Sequence, residues 1–375
     1  MCIRDRLKIA SIGPYLPFRG GISDFHNDLI KQLKISNDVE VINFKKLYPN
    51  FLFPGKSQTI DKKLNSNHKS RRILNPLNIF SWISAVQFIN KFNADIVIIS
   101  YWHPFFAFMY SFIAKKIKCK KKYFIMHNAE SHDHFPLEKF LVKNMLKKAT
   151  HIVTMNDKEK NKLESFNLKG KILNSFHPIY LKKFNDHDRI NYKNDFGFNE
   201  HPVILFFGLI RPYKGLDVLI NTVNLLKNSI PELKVLVVGE SYMSMKQYHL
   251  QIEKYNLQDY FIFNNTFVSE DKLKKYFLSS DLVVLPYKKS TQSGVLSLSM
   301  NFNVPALVSS NGGLKDYIIN NKTGFISSLN PYDFSAIIEK YFNDNLYKLM
   351  SENIKNHKKN FNWNKFEESL RLNDN

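Results

Sequence analysis

The sequence predicts an α/β protein built as two doubly wound, parallel-sheet halves in series. Three observations predict it. The chain has 375 residues, more than one ordinary hydrophobic core accommodates and enough for two domains of roughly 150–200 residues. Short apolar runs alternate with amphipathic stretches through both halves, the rhythm of βαβ units. Near 183–200 the chain turns charged and Asn-rich, which reads as a linker.

In the first half Leu7–Ile12 reads as a strand, followed by a Gly/Pro loop to Gly21 and a helix over Ser23–Leu33 capped by Ser23 or Asp24. Val39–Phe44 is a second strand, residues 48–75 read as a polar extended loop, and Asp95–Ser100, Tyr123–Met126 and His151–Met155 are three further strands. In the second half the strands are Val203–Phe207, Lys234–Val238, Tyr260–Phe263, Leu282–Leu285 and Ala306–Ser309, with helices such as Leu216–Lys227, Glu270–Ser279 and Val295–Phe302 between them. The halves are set at residues 7–185 and 190–350, with a terminal helix at about 358–375 returning to the first half. Ligand sites are expected at the carboxyl ends of both sheets, across a cleft.

Hydrophobic residues make up 44% and charged residues 23% of the chain, a globular composition. The two cysteines, Cys2 and Cys119, cannot build a disulfide framework or a cysteine metal site, so a reducing cytoplasm is expected. Met1–Arg6 reads as an added segment, and Leu7–Ile12 running straight into a Gly/Pro loop argues against a signal peptide. Ile96–Ala114 is nearly uncharged and of span length, but Trp102-His103-Pro104 interrupts it; it reads as a buried strand, a turn and an amphipathic helix.

The formal charge is +21, and it is uneven. Residues 1–190 hold 33 Lys and Arg against 15 Asp and Glu, while the remainder hold 21 against 18. Such asymmetry reads either as the mark of a half that meets an anionic surface, nucleic acid or lipid, or as a solvated lysine-rich surface. Basic clusters stand at Lys69–Arg72, Lys115–Lys122 and Lys143–Lys148. No nucleic-acid module and no aromatic–basic interleaving accompanies them, which favours an anionic membrane face over nucleic acid.

Three loops carry the chemistry. Phe206–Leu219 ends a strand at Gly208, presents Arg211 and Lys214, and opens a helix near Gly215. A helix N-terminus and two cations converge there, where a diphosphate would be held. Leu285–Leu296 places Gln292, Ser293, Gly294 and Val295 at the next strand-to-helix turn, a second phosphate cradle of backbone N–H groups. Val304–Tyr317 adds a Gly312-Gly313 turn, where backbone can approach a ligand.

With these motifs in view, the chain resembles glycosyltransferase family 4, the group 1 retaining enzymes of GT-B fold, from Ile9 to Phe366. It is most similar to the branch with Arg-Pro-Tyr-Lys-Gly and Thr-Gln-Ser-Gly-Val. Pro17–Ser23, Tyr101–Phe106, His127-Asn128 and His132-Asp133 agree with that branch. The resemblance implies two Rossmann-like domains facing each other across a cleft, with a UDP- or GDP-linked sugar as donor. It implies Arg211 and Lys214 on the diphosphate, His127 beside the transferring sugar, and a Gly20-Gly21 loop over donor and acceptor. Asp24, Trp102, His103 and His132 are the candidate acceptor contacts, with His26 a lesser one; Asp24 reads equally as a helix cap and Trp102 as core or cleft wall. The acceptor is a saccharide or a polyprenyl-phosphate-linked sugar, and the place of work the cytoplasm or the inner face of its membrane. Attack by the acceptor hydroxyl on the donor's front face is the implied course. The leaving diphosphate is stabilised by charge and backbone amides, with no metal required. His132, Asp133 and His134 lack a further well-spaced ligand for a closed metal site.

The sequence also departs from the family. Ser290 and Leu298 stand where most relatives carry two glutamates that flank the sugar and the ribose. A catalytically silent, nucleotide-sugar-binding relative is therefore the alternative reading.

Overall fold

The computed structural model describes residues 6–48, 58–59, 69–128, 135, 137–179, 188–241, 243–266, 268–289 and 293–374. The chain divides into two compact units, one of Met1–Phe176 with Trp363–Asn375 and one of His177–Asn362.

The first unit is built on β1 (Lys8–Ile12), α1 (Gly21–Leu33), β2 (Asp38–Phe44), β3 (Arg71–Leu74), α2 (Ile79–Phe92), β4 (Ile96–Tyr101), α3 (Ala107–Lys116), β5 (Lys121–Met126), α4 (Glu138–Leu146), β6 (His151–Thr154), α5 (Asp157–Glu164) and β7 (Lys171–Asn174). The sheet is parallel, in the order β3-β2-β1-β4-β5-β6-β7. A parallel sheet must be covered on both faces, and its central strands are accordingly apolar throughout. All six residues of β4 are buried. Val97, Ile99, Phe124 and Met126 face α2, α3 and α4; Ile9, Ile98 and Ile125 face α1. The uncharged stretch from Ile96 is thus a core strand, a short turn and a helix of about 15 Å. Among the described residues no helix is long and apolar enough to cross a membrane.

The second unit opens with α6 (Asp188–Asp195), then β8 (Val203–Phe207), α7 (Leu216–Leu226), β9 (Lys234–Val238), α8 (Lys246–Lys254), β10 (Phe261–Asn264), α9 (Glu270–Leu278), β11 (Leu282–Leu285), α10 (Gly294–Asn301), β12 (Ala306–Ser309), β13 (Gly324–Ser327), α11 (Pro331–Asn343) and α12 (Tyr347–His357). Its parallel sheet has the order β10-β9-β8-β11-β12-β13. The last helix, α13 (Trp363–Ser369), belongs to the first unit, where Trp363 and Phe366 pack on Phe25 at ring separations of 5.2 and 5.6 Å.

The stretch read as a linker is in part a helix of the second unit. Asp281 pairs with Arg189 and, at 3.0 Å, with Lys193 of α6, and accepts from Val203 N at 2.8 Å. The polar composition of α6 serves this ion-paired cluster rather than flexibility. The contacts also place the change of unit at Trp363, a few residues beyond 358. Three strands escaped the sequence reading, and β3, β7 and β13 are all sheet edges. β3 and β7 bury little, so RRIL and KILN lack the apolar run that betrays a central strand, while β13 is mostly buried but short and opens on a glycine (GFIS).

Each unit also hides a neutral histidine. His26 is fully buried: its Nδ1 donates to Pro14 O at 3.0 Å and its Nε2 accepts from Ser11 Oγ at 2.7 Å. His177 is buried too, its backbone N donating to the Tyr317 hydroxyl at 2.6 Å. Burial pushes both imidazoles down to about 4. A depressed folded-state value means that the unfolded chain binds more protons, so stability is present above the ordinary histidine range and is lost as pH falls toward 4. Between about pH 6.5 and 4 each histidine contributes a slope of up to about 1.4 kcal/mol per pH unit. Calorimetric unfolding across that window is expected to show the loss. His26→Gln is expected to flatten the slope by about one proton, and an unchanged slope would refute the assignment.

Candidate functional site

In a doubly wound sheet the crevice for a ligand opens where neighbouring strands send their connections to opposite faces. In the second unit that point lies between β8 and β11. The strand order sets the loops after β8, β11 and β12 side by side, and these are the three motif loops of the sequence.

After β8, Gly208 has φ +96°. A Cβ there would lie 2.8 Å from Lys214 Nζ and 3.2 Å from Val295 Cγ2. Gly208 therefore leaves the space in which the lysine ammonium meets the start of α10. Arg211, half-buried, precedes a short 3-10 turn over Pro212–Lys214, and Gly215 at φ +75° turns the chain into α7. Pro212 fits the turn because its fixed φ suits the first helical position. Lys214 is only 7% exposed, and its ammonium stands 5.4 Å from the centre of the Tyr287 ring. Burial lowers its pKa, opposed by Tyr213 and assisted by Arg211. A buried cation beside a second cation is poised to gain energy from an anionic ligand.

The loop after β11 is tied to the first one. Lys288 N donates to Tyr213 O at 2.7 Å, and Lys288 Nζ pairs with Asp217 at 2.7 Å. Ser309 Oγ, at the end of β12, donates to Tyr287 O at 2.6 Å. Ser293 is the extended residue before α10, whose first backbone N–H groups, from Gly294 and Val295, lack helical partners and point outward. After β12, Gly312 at φ +125° enters a 3-10 turn that begins at Gly313. Gly239, after β9, was missed by the sequence reading. A Cβ there would lie 2.3 Å from Gly208 O, so it sets how closely β9 approaches the site loop. Its signal was a glycine ending an apolar strand. Ser290 and Gln292 lie outside the described residues, while Leu298 is half-buried in α10.

In the first unit β1, β4 and β5 are neighbours, so the Gly20-Gly21, Trp102-His103 and His127 loops leave adjacent strands. His127 is 2% exposed; its backbone N bonds Tyr101 O at 2.9 Å and its ring meets the Phe25 ring edge-on at 4.7 Å. Gly20, at φ +109°, is the N-cap of α1, and Ser23 Oγ donates to Phe18 O at 2.8 Å. The helix thus begins two residues earlier than expected and neither Ser23 nor Asp24 caps it; Asp24 is exposed in its first turn. Trp102 is a core residue, 9% exposed and 4.3 Å from the Phe106 ring, with its indole N–H donated to Tyr48 Oη at 2.8 Å. His26, bound to Ser11 and Pro14, is equally committed to the interior. His103 is half-buried, and its Nδ1 accepts from Phe105 N at 3.1 Å. His132, Asp133 and His134 lie outside the described residues.

Residues 188–360 match the sequence family described as glycosyl transferases group 1. The chain is 35% identical over 105 residues to the GDP-mannose:glycolipid 4-beta-D-mannosyltransferase of Xanthomonas campestris pv. campestris (strain ATCC 33913), covering 28% of this chain and 29% of that one. It is 24% identical over 376 residues to the uncharacterized glycosyltransferase MJ1178 of Methanocaldococcus jannaschii, covering 96% and 95%. Four of the curated relatives are spanned for less than half of their length. Among solved structures, Anabaena Alr3699/HepE in complex with UDP-glucose superposes with a TM-score of 0.77 at 15% identity, over 98% of both chains.

The fold is GT-B. In this GT-B chain the family match coincides closely with the second unit and includes the loops after β8, β11 and β12.

Proposed function

We infer that the chain is a retaining glycosyltransferase that moves a sugar from a UDP- or GDP-linked donor to a saccharide or lipid-linked acceptor, in the synthesis of cell-surface polysaccharide or lipopolysaccharide. The observation that carries this reading is the buried Lys214 ammonium beside Gly208, the glycine that also adjoins Val295 at the start of α10. A buried cation on a loop that adjoins a helix N-terminus is preorganised for the charge that a leaving diphosphate develops. Arg211 adds a bidentate fork within the same turn. The similarity to glycosyl transferases group 1 over this unit supports the donor class. One relative is named a GDP-mannose:glycolipid mannosyltransferase and one neighbour is solved with UDP-glucose, which supports a nucleotide-diphosphate sugar and a glycolipid or saccharide acceptor. His127 would orient the donor sugar, and charge and backbone amides stabilise the leaving diphosphate with no metal required.

The direct test is release of nucleoside diphosphate from UDP- and GDP-sugars by the purified chain, with thermal shift as the binding readout. A donor at about 100 times its dissociation constant adds roughly 2.7 kcal/mol of stability. No shift and no release with any donor would end this reading.

One observation favours the second reading, a silent relative. Leu298 stands at the family's ribose position on α10 and cannot accept a hydroxyl hydrogen bond. If the chain is active, Leu298→Glu is expected to leave folding intact and turnover within a few-fold of wild type. If wild type binds no donor and Leu298→Glu restores binding, the silent relative is the correct reading.

A further inference from the structure

A charge taken out of water has to be balanced by something inside the protein. Lys214 is 7% exposed, yet among the described residues no carboxylate pairs with it and its ammonium donates no hydrogen bond. The charged groups around it do not supply the balance. Arg211, of the same turn, is a like charge. Asp217, at the start of α7, is taken at 2.7 Å by Lys288 of the loop after β11. α10 carries no charged residue. Two phenols lie near the ammonium as well, Tyr213 of the same turn and Tyr287 of the loop after β11.

What the fold does set against the ammonium is the face of the Tyr287 ring, its centre 5.4 Å away. An aromatic face is electrically negative and attracts a cation within about 6 Å of its centre, more strongly where water is excluded. The ring is 2% exposed, and all three site loops help to hold it. Tyr287 O accepts from Ser309 Oγ at 2.6 Å, Lys288 N donates to Tyr213 O at 2.7 Å, and the Tyr213 ring meets the Tyr287 ring edge-on at 6.2 Å. The hydroxyl does not account for the residue. It is buried near Ser293 without completing a hydrogen bond, which is unfavourable in itself. Burial pushes the phenol up to about 12, so it stays neutral and makes no phenolate partner for the lysine.

We propose that Tyr287 is a positioning residue of this site, whose ring face holds the Lys214 ammonium in place and charged before an anionic ligand arrives. A carboxylate in that position would neutralise Lys214 and repel a diphosphate; a neutral ring does neither. The contact between ring and ammonium stands by itself, while its consequence for donor binding rests on the proposed diphosphate site.

The test changes the charge on the ring face and keeps the shape of the ring. Position 287 is filled with phenylalanine (Tyr287→Phe) and with its mono-, di- and trifluorinated forms, because each fluorine withdraws electron density from the face. Tyr287→Leu removes the face altogether. One readout needs no donor. The side-chain nitrogen resonance of Lys214, assigned with Lys214→Arg in protein carrying isotope-labelled lysine, is followed against pH. Its midpoint is expected to move down stepwise with fluorination and furthest in Tyr287→Leu, while Tyr287→Phe titrates with wild type. The other readout is calorimetric binding of UDP and GDP. Affinity is expected to weaken about fivefold to thirtyfold from Tyr287→Phe to Tyr287→Leu, and to decline with pH from a lower value.

A Lys214 midpoint that ignores fluorination overturns the proposal. So does nucleotide binding that is equal, at every pH, across the series. If Tyr287→Leu does not fold, the fluorinated proteins decide alone, since they share one shape. A graded midpoint in a wild type and series that bind neither nucleotide would support the role of Tyr287 and count against the donor reading, so the two fail separately.

Discussion

Lys214→Ala is expected to slow donor turnover by about 100-fold or more, and Arg211→Ala by a similar factor, each about 2.7 kcal/mol or more of lost transition-state stabilisation. The reason is preorganisation. Lys214 is buried, pressed against the Gly208 backbone and close to Val295 at the opening of α10, so its charge is not spent on water. The same burial, with Arg211 nearby, lowers its pKa. In the free protein the ammonium therefore gives up its proton at a lower pH than an ordinary lysine. A bound diphosphate favours the charged form and raises the value again, so donor binding takes up protons. Donor affinity is expected to fall as pH rises through the free-state value, below the ordinary lysine range of about 10.4, and Lys214→Ala is expected to remove that dependence. Initial rates of nucleoside-diphosphate release and titration calorimetry in two buffers measure both effects. Near-normal turnover in both folded variants would remove the proposed diphosphate site.

The second large effect belongs to a residue that touches no ligand. Gly215→Ala is expected to cost about 3 kcal/mol or more of stability. Gly215 sits at φ +75°, and a Cβ there would lie 2.0 Å from the Pro286 carbonyl oxygen and 3.0 Å from its carbon. Both obstacles are backbone, so neither can swing aside, and the loop that would have to move is tied to Tyr213 and Asp217 through Lys288. For a unit of this size the shift in melting temperature is about 6–12 °C. Gly20→Ala is the control, since Gly20 has φ +109° but nothing within 4 Å of a Cβ. It carries the backbone strain without the collision. Equal melting temperatures for Gly215→Ala and wild type would show that the two loops are not locked together.

Much of the architecture was legible because buried parallel strands announce themselves. Val203–Phe207, Lys234–Val238, Leu282–Leu285 and Ala306–Ser309 were bounded to the residue, each a continuous apolar run between polar punctuation. β3, β7 and β13 were not, because an edge strand takes its place from the neighbour that pairs with it. α6 was read as a linker because its sequence is polar; what makes it structure is Asp281, ninety residues away in the chain, or nearly so, and adjacent in space. Trp102 reads from sequence as core or cleft wall as well as a candidate acceptor contact, and the fold makes it core, its indole N–H satisfied by Tyr48. His26 was a candidate because it lies near the glycine loop, and only the fold shows its ring satisfied internally by Ser11 and Pro14.

The sequence by itself determined the two doubly wound halves, the three site loops and the cationic excess of the first half, because periodicity, glycine placement and charge are local properties written in consecutive residues. Tertiary structure alone decided that Lys214 is buried beside Gly208, and that Gly239 and Gly215 set how closely strands and loops approach. Those facts depend on which strands neighbour which, and strand order is fixed by packing between segments far apart in the chain.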